Sequence, residues 1–141
     1  MPTYAASRVL LAPVDDVWTF LAEPYHLTDW WPGVSGVEPD RRGLAPGARW
    51  KVLGPATGSY LRKPQAAGML LVLDVVPMRR IEFQLVSERL DAVIELAPAE
   101  DDCTEVVLSV EVPWLVTGVR RSFPTKALAR LYGLVQTAAD P

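Results

Sequence analysis

Strict alternation of apolar and polar side chains through the second half of the chain limits the fold more than any other feature. Ile81, Phe83 and Leu85 alternate with Glu82 and Gln84. Ala92, Ile94 and Leu96 alternate with Asp91 and Glu95, and Val106, Leu108 and Val110 with Glu105, Ser109 and Glu111. A period of two marks a strand with one buried face, and no helix accommodates it. Leu71, Leu73 and Val75 extend the apolar face, with Asp74 on the other side. Turn clusters at Asp40-Arg41-Arg42-Gly43, Pro77-Met78-Arg79-Arg80 and Pro98-Ala99-Glu100-Asp101-Asp102 break the runs at hairpin spacing. Strands are therefore predicted at 34–39, 47–53, 69–76, 80–88, 91–97 and 104–112, and Tyr4–Leu11, stopped by Ala12-Pro13, adds a seventh.

The remaining segments read as helices. Pro13 opens one, Asp15 and Asp16 favour its positive end, and Val14, Val17, Trp18 and Leu21 form a stripe at helical spacing. Pro24 opens a second, short helix that Pro32-Gly33 ends. Ser122 and Pro124 begin a third, whose buried stripe is Ala127, Leu128, Leu131, Leu134, Val135 and Ala138, interrupted by Gly133. The order is one strand, two short helices, six strands and a long C-terminal helix. That is an α+β fold, in which a curved antiparallel sheet buries its apolar face beneath the last helix. The 141 residues suit one domain, and no repeat divides them.

Charge and composition exclude several functions. With 14 Lys+Arg against 17 Asp+Glu, the net charge of −3 argues against a nucleic-acid partner held by phosphate contacts. One cysteine, Cys103, and one histidine, His26, supply neither a disulfide nor an ordinary zinc site, so no metal or cofactor is expected. No segment approaches the roughly 18 apolar residues of a membrane span, and the N-terminus lacks a basic-then-apolar leader. The cytoplasm is the expected compartment, without integral membrane association.

The strand faces bear on chemistry. Alternation sends Asp74, Glu82, Asp91, Glu95, Glu105 and Glu111 to solvent, leaving the inner wall of the sheet without an acid. Paired carboxylates for hydrolysis would point the wrong way. The apolar face is wide for one helix to cover, with bulk added by Trp50, Phe83 and one of the neighbours Trp30 and Trp31. A ligand pocket between sheet and helix is one reading, and ordinary core packing is the other. An empty void of about 300 Å³ would cost on the order of 7 kcal/mol, so a large chamber would have to hold ligand or water, or be partly collapsed.

Other motifs are weaker. Gly33-Val34-Ser35-Gly36 has its second glycine one residue early for a nucleophile elbow, and reads as a turn. The glycines at 33, 36, 43 and 47 fit no phosphate loop. His26 has no sequence-evident nucleophile to activate. Tyr60, Arg62, Lys63 and Gln65, in the Gly- and Pro-rich segment 54–68, offer polar anchors for a ligand or simply form a solvated loop. Arg120, Arg121, Lys126 and Arg130 read as a hydrated face. Met69-Leu70-Leu71-Val72-Leu73 is apolar on both faces, which implies either an outer cover within the monomer or a homodimer contact.

The run Ala12-Pro13-Val14-Asp15-Asp16-Val17-Trp18-Thr19-Phe20-Leu21, followed by Trp30-Trp31-Pro32-Gly33-Val34, resembles the START-like SRPBCC superfamily in its polyketide cyclase/dehydrase-like branch. Gly47-Ala48-Arg49-Trp50-Lys51-Val52, Val75 to Phe83, Glu95-Leu96-Ala97-Pro98 and Cys103-Thr104-Glu105-Val106 are similar to that family's successive hairpins, so the resemblance spans nearly the whole chain. It implies the helix-grip fold, also called Bet v 1-like: seven antiparallel strands around a long C-terminal helix, with an apolar cavity between them. Segment 54–68 and a short final helix depart from the family pattern.

These readings lead to one START-like domain over residues 1–141 that binds a small hydrophobic or amphipathic molecule, such as a lipid, polyketide or isoprenoid. The expected ligand-binding residues are Trp30, Trp31, Trp50, Tyr60, Leu73, Phe83, Ile94, Leu108, Leu128 and Leu131. The alternative is a polyketide cyclase or aromatase in the same cavity, with His26, Tyr60 or Arg62 polarising a ketone.

Overall fold

The computed structural model describes residues 3–32, 34–53, 67–86, 89–112 and 122–139. Strand β1 (Thr3–Leu10) runs to the Ala12-Pro13 corner, and α1 (Val14–Ala22), a 3-10 turn (Pro24–His26) and α2 (Leu27–Trp30) follow. Strands β2 (Gly36–Glu38), β3 (Arg49–Leu53), β4 (Ala67–Val76), β5 (Arg80–Leu85), β6 (Leu90–Ala99) and β7 (Cys103–Glu111) lead to α3 (Phe123–Ala139). Among the described residues the strands form one seven-stranded sheet in the order β1-β7-β6-β5-β4-β3-β2. Every neighbouring pair is antiparallel. This is the helix-grip arrangement that the resemblance implies.

The alternation of β5, β6 and β7 is realised as read: Ile81, Phe83, Leu85, Ala92, Ile94, Leu96, Val106, Leu108 and Val110 are all buried. Their polar neighbours lie on the opposite, convex face, with Glu95, Glu105 and Glu111 exposed and Glu82, Gln84 and Asp91 half-buried. Strand β4 departs from the reading. Its register against β5 shifts between Val72 and Asp74, so Leu70 and Val72 face inward before the shift and Val75 packs inward after it. Leu71 and Leu73, both expected inside, are on the convex face: Leu71 is half-buried in register with Arg49 and Gln84, and Leu73 lies in the bulge and is 41% exposed. A run that is apolar on both faces does not specify its own register, and a bulge sends consecutive residues to the same side.

Several short-range contacts fix the corners. The buried Thr104 hydroxyl donates to the Ala12 carbonyl at 2.8 Å, which ties the start of β7 to the β1–α1 corner. Trp31 leaves α2 in an extended conformation and is fully buried. Its ring meets Trp30, Phe83 and Phe123 edge-on, with centroids 5.4, 5.2 and 5.1 Å away, so one side chain joins α2, β5 and α3.

Helix α3 buries Ala127, Leu128, Leu131 and Val135 and packs chiefly on β1, with β7, α1 and α2 also in contact. Arg8 of β1 sets its guanidinium 4.3 Å from the centre of the Tyr132 ring. The C-terminal helix therefore covers the β1–β7 side of the concave face. Above β3 to β6, much of the cover comes from the α1–α2 corner and the loop before β3. No helix among the described residues is long and apolar enough to cross a membrane.

Candidate functional site

The concave face holds a cleft between β3–β6 and the α1–α2 corner. Its sheet wall is Trp50, Leu70, Val72, Ile81, Phe83 and Ile94, and its roof is Leu21, Pro24, Leu27, Trp30 and Leu44, with Glu23 beside them. The roof arises locally: Leu21 ends the buried stripe of α1, Pro24 breaks the helix, and Leu27 and Trp30 lie about one turn apart on α2. The space within it is about 20 Å³, room for about one water molecule, and is partly open to solvent. So small a space leaves few packing contacts unmade, so the cleft is compatible with a stable fold.

Loop 40–49 holds the cleft's outer rim. The Asp40 carboxylate accepts the amides of Arg42 and Arg49, each at 2.9 Å, so one side chain clamps both ends of the loop. The Arg49 amide above all, then the Arg42 amide and guanidinium, lower the Asp40 pKa from its ordinary value of 3.8 against an opposing loss of hydration. Within the loop the Gly43 carbonyl accepts the Trp50 indole N–H at 2.8 Å, which fixes the ring that forms one wall. Gly47, at φ +87°, then turns the chain so that its amide reaches the Val72 carbonyl at 2.8 Å. Leu44 is thereby carried over the cleft.

The expected site residues divide into four groups. Trp30, Trp50, Phe83 and Ile94 line the cleft. Trp31, Leu108, Leu128 and Leu131 are buried in the core but are not among the residues that line it. Leu73 is on the convex face. Tyr60 and Arg62 fall outside the described residues.

His26 is placed structurally. Its Nδ1 lies 2.8 Å from the Phe20 carbonyl, which only accepts, so Nδ1 carries the hydrogen. Its ring stacks on Phe20 at 4.1 Å with an interplanar angle of 17°. The imidazole thus fastens the 3-10 turn to α1, and it is not among the residues that line the cleft.

Sequence reasoning missed Leu70, Val72, Leu44 and Glu23 as lining residues, and likewise Leu21, Pro24, Leu27 and Ile81, which it read only as parts of helices and a strand. The first two were hidden by the β4 bulge, and Leu44 by the absence of any period in its loop. Glu23 carried a signal: it caps the C-terminus of α1, where the helix dipole disfavours an anion. Among the described residues it is the one titratable residue that lines the cleft.

A larger, open depression of about 500 Å³ crosses the convex face between Val76, Arg79, Arg80, Glu95, Ala97, Glu105 and Val107. Most of these side chains are solvent-exposed, and Arg80 already pairs with Glu82 at 3.0 Å. Ligand sites enclose most of their guest, and the concave cleft has the walls for it.

The arrangement has close structural counterparts. Protein CV1439 from Chromobacterium violaceum superposes with a TM-score of 0.73 at 21% identity, covering 96% of this chain and 99% of that one. TTHA0849 from Thermus thermophilus gives 0.73 at 19% identity over 99% and 100%. Protein NE0264 from Nitrosomonas europaea gives 0.72 at 20% identity over 96% and 95%. At these identities the likeness concerns the fold. No curated protein sequence matches the chain. The profile of one family, described as polyketide cyclase / dehydrase and lipid transport, matches residues 1–139, and the chain belongs to that SRPBCC-type family.

Proposed function

We propose that the protein binds a small hydrophobic or amphipathic molecule, of lipid, polyketide or isoprenoid type, in the cleft between β3–β6 and the α1–α2 corner. The observation that carries this reading is the lining: among the described residues, eleven apolar ones and the exposed Glu23 surround the cleft. The proposed site lies under the α1–α2 corner, whereas the sequence reading put it between the sheet and α3. Its resting volume of about 20 Å³ requires the rim to move before a guest enters. Among the described residues, loop 40–49 and the 3-10 turn are the movable parts, because β3 to β6 are held by antiparallel ladders broken only at the β4 bulge. Glu23 would face the polar end of the guest, and a carboxylate there favours a hydrogen-bond donor or a cation over an anion.

Binding is preferred to cyclisation because His26 is committed to Phe20 and, among the described residues that line the cleft, Glu23 is the one acid–base group. The test is native mass spectrometry of freshly purified protein, followed by titration with neutral, cationic and anionic amphiphiles. Trp30 and Trp50 report occupancy by fluorescence. At about 100 times the Kd, a guest stabilises the fold by roughly 2.7 kcal/mol, which is a Tm rise on the order of 10 °C. No co-purifying molecule and no shift with any amphiphile would remove the proposal.

A further inference from the structure

The convex face of the sheet is organised in bands. Strand β3 presents Arg49 and Lys51, both exposed, and β4 presents Met69, Leu71 and Leu73, of which Met69 is 40% and Leu73 41% exposed. Beyond them, β5 to β7 present Glu82, Gln84, Asp91 and Glu111. The strand registers place Arg49, Leu71, Gln84, Asp91 and Glu111 in a single row across five adjacent strands. That row reads cation, apolar, amide, anion, anion.

This face carries unfavourable pairs by itself. Asp74 stands directly opposite Glu82, and Asp91 opposite Glu111, and like charges in register repel. Burial, with the Glu111 and Glu82 charges, raises the Asp91 pKa. The bulge in β4 adds Leu73 to the apolar band instead of turning it inward.

We propose that this convex face is an isologous homodimer interface, with the β4 band at its centre and Arg49 of each copy set against Asp91 of the other. A two-fold axis lying along β4 places the basic β3 of one copy over β5 of its partner, with Arg49 one strand spacing, about 4.8 Å, to the side of the partner's Asp91 row position on β6. A dyad across the strands would instead put β3 on β3 and cation on cation, so the charge bands select one orientation. Face-packed sheets stand about 10 Å apart, within reach of an arginine from one side and a carboxylate from the other. The apolar band supplies buried area, and each copy supplies both members of the charge pair.

Sedimentation equilibrium from micromolar concentrations to about 1 mM tests this. The wild type is expected to dimerise reversibly, more weakly in high salt. Leu73→Glu, Arg49→Glu and Asp91→Arg should each raise the dissociation constant at least tenfold with unchanged circular dichroism. Mixing Arg49→Glu with Asp91→Arg should restore association, because the mixed pair has one reversed and one native charge contact, both attractive. A wild type that stays monomeric throughout overturns the proposal, even if a basic peptide binds the face. A dimer indifferent to these variants, or single reversals that mixing does not rescue, also overturns it.

Discussion

Three side chains in this protein have roles that their residue types do not announce. Trp31 reads from the sequence as a ligand contact and is instead the joint between α2, β5 and α3. Trp31→Ala should cost about 3–5 kcal/mol in chemical denaturation, the usual range for emptying a large aromatic site. His26→Ala should lose about 1 kcal/mol for its bond to the Phe20 carbonyl while leaving amphiphile affinity within twofold. A large fall in affinity would return His26 to the binding machinery. Asp40 acts on the rim. Because its folded pKa is lowered, its contribution is present above its ordinary value of 3.8 and is lost as pH falls through the folded value. In the wild type the Trp50 indole N–H resonance should therefore move only in acid, whereas in Asp40→Asn it should be displaced already at pH 7.

At the scale of elements, legibility followed periodicity. Strands β5, β6 and β7 were readable because each pairs one apolar face with one polar face, and a slip of one residue would bury carboxylates. Strand β4 was not, because Met69 to Leu73 tolerate either register, and the bulge that decides it depends on Glu82 and Phe83 across the ladder. Loop 40–49 has no period, so its clamp of Asp40, Gly43 and Trp50 is visible only once the chain is folded. The β6 carboxylate Asp91 gives an element-scale prediction. Its raised pKa makes the ionised form a penalty above that pKa, and the penalty disappears below the ordinary value of 3.8. In dilute solution Asp91→Asn should raise the Tm at pH 7, with the difference vanishing as the pH falls below that value.

For the whole molecule, the order of elements along the chain and the packing of the last helix on the sheet could be read from the sequence, but the position of the cleft and the part of the sheet that the helix covers could not. Alternation tells which side chains point inward. It does not tell which of them meet, and here some inward residues are buried with α3 while others line a cleft under the α1–α2 corner. Leu44→Trp at the half-buried rim should block amphiphile binding at least tenfold with little change in Tm, measured by fluorescence titration and thermal melts. Equal binding in that variant would place the route for the guest elsewhere.

The grip of α3 on β1 and β7 also separates two selective pressures. Mutations along Leu128 and Leu131 should be felt as melting temperature, while under the proposed binding role those at Leu44 or Glu23 would be felt as choice of guest. With such a role, a lineage could retune its cargo on one half of the sheet without renegotiating the half that keeps it folded.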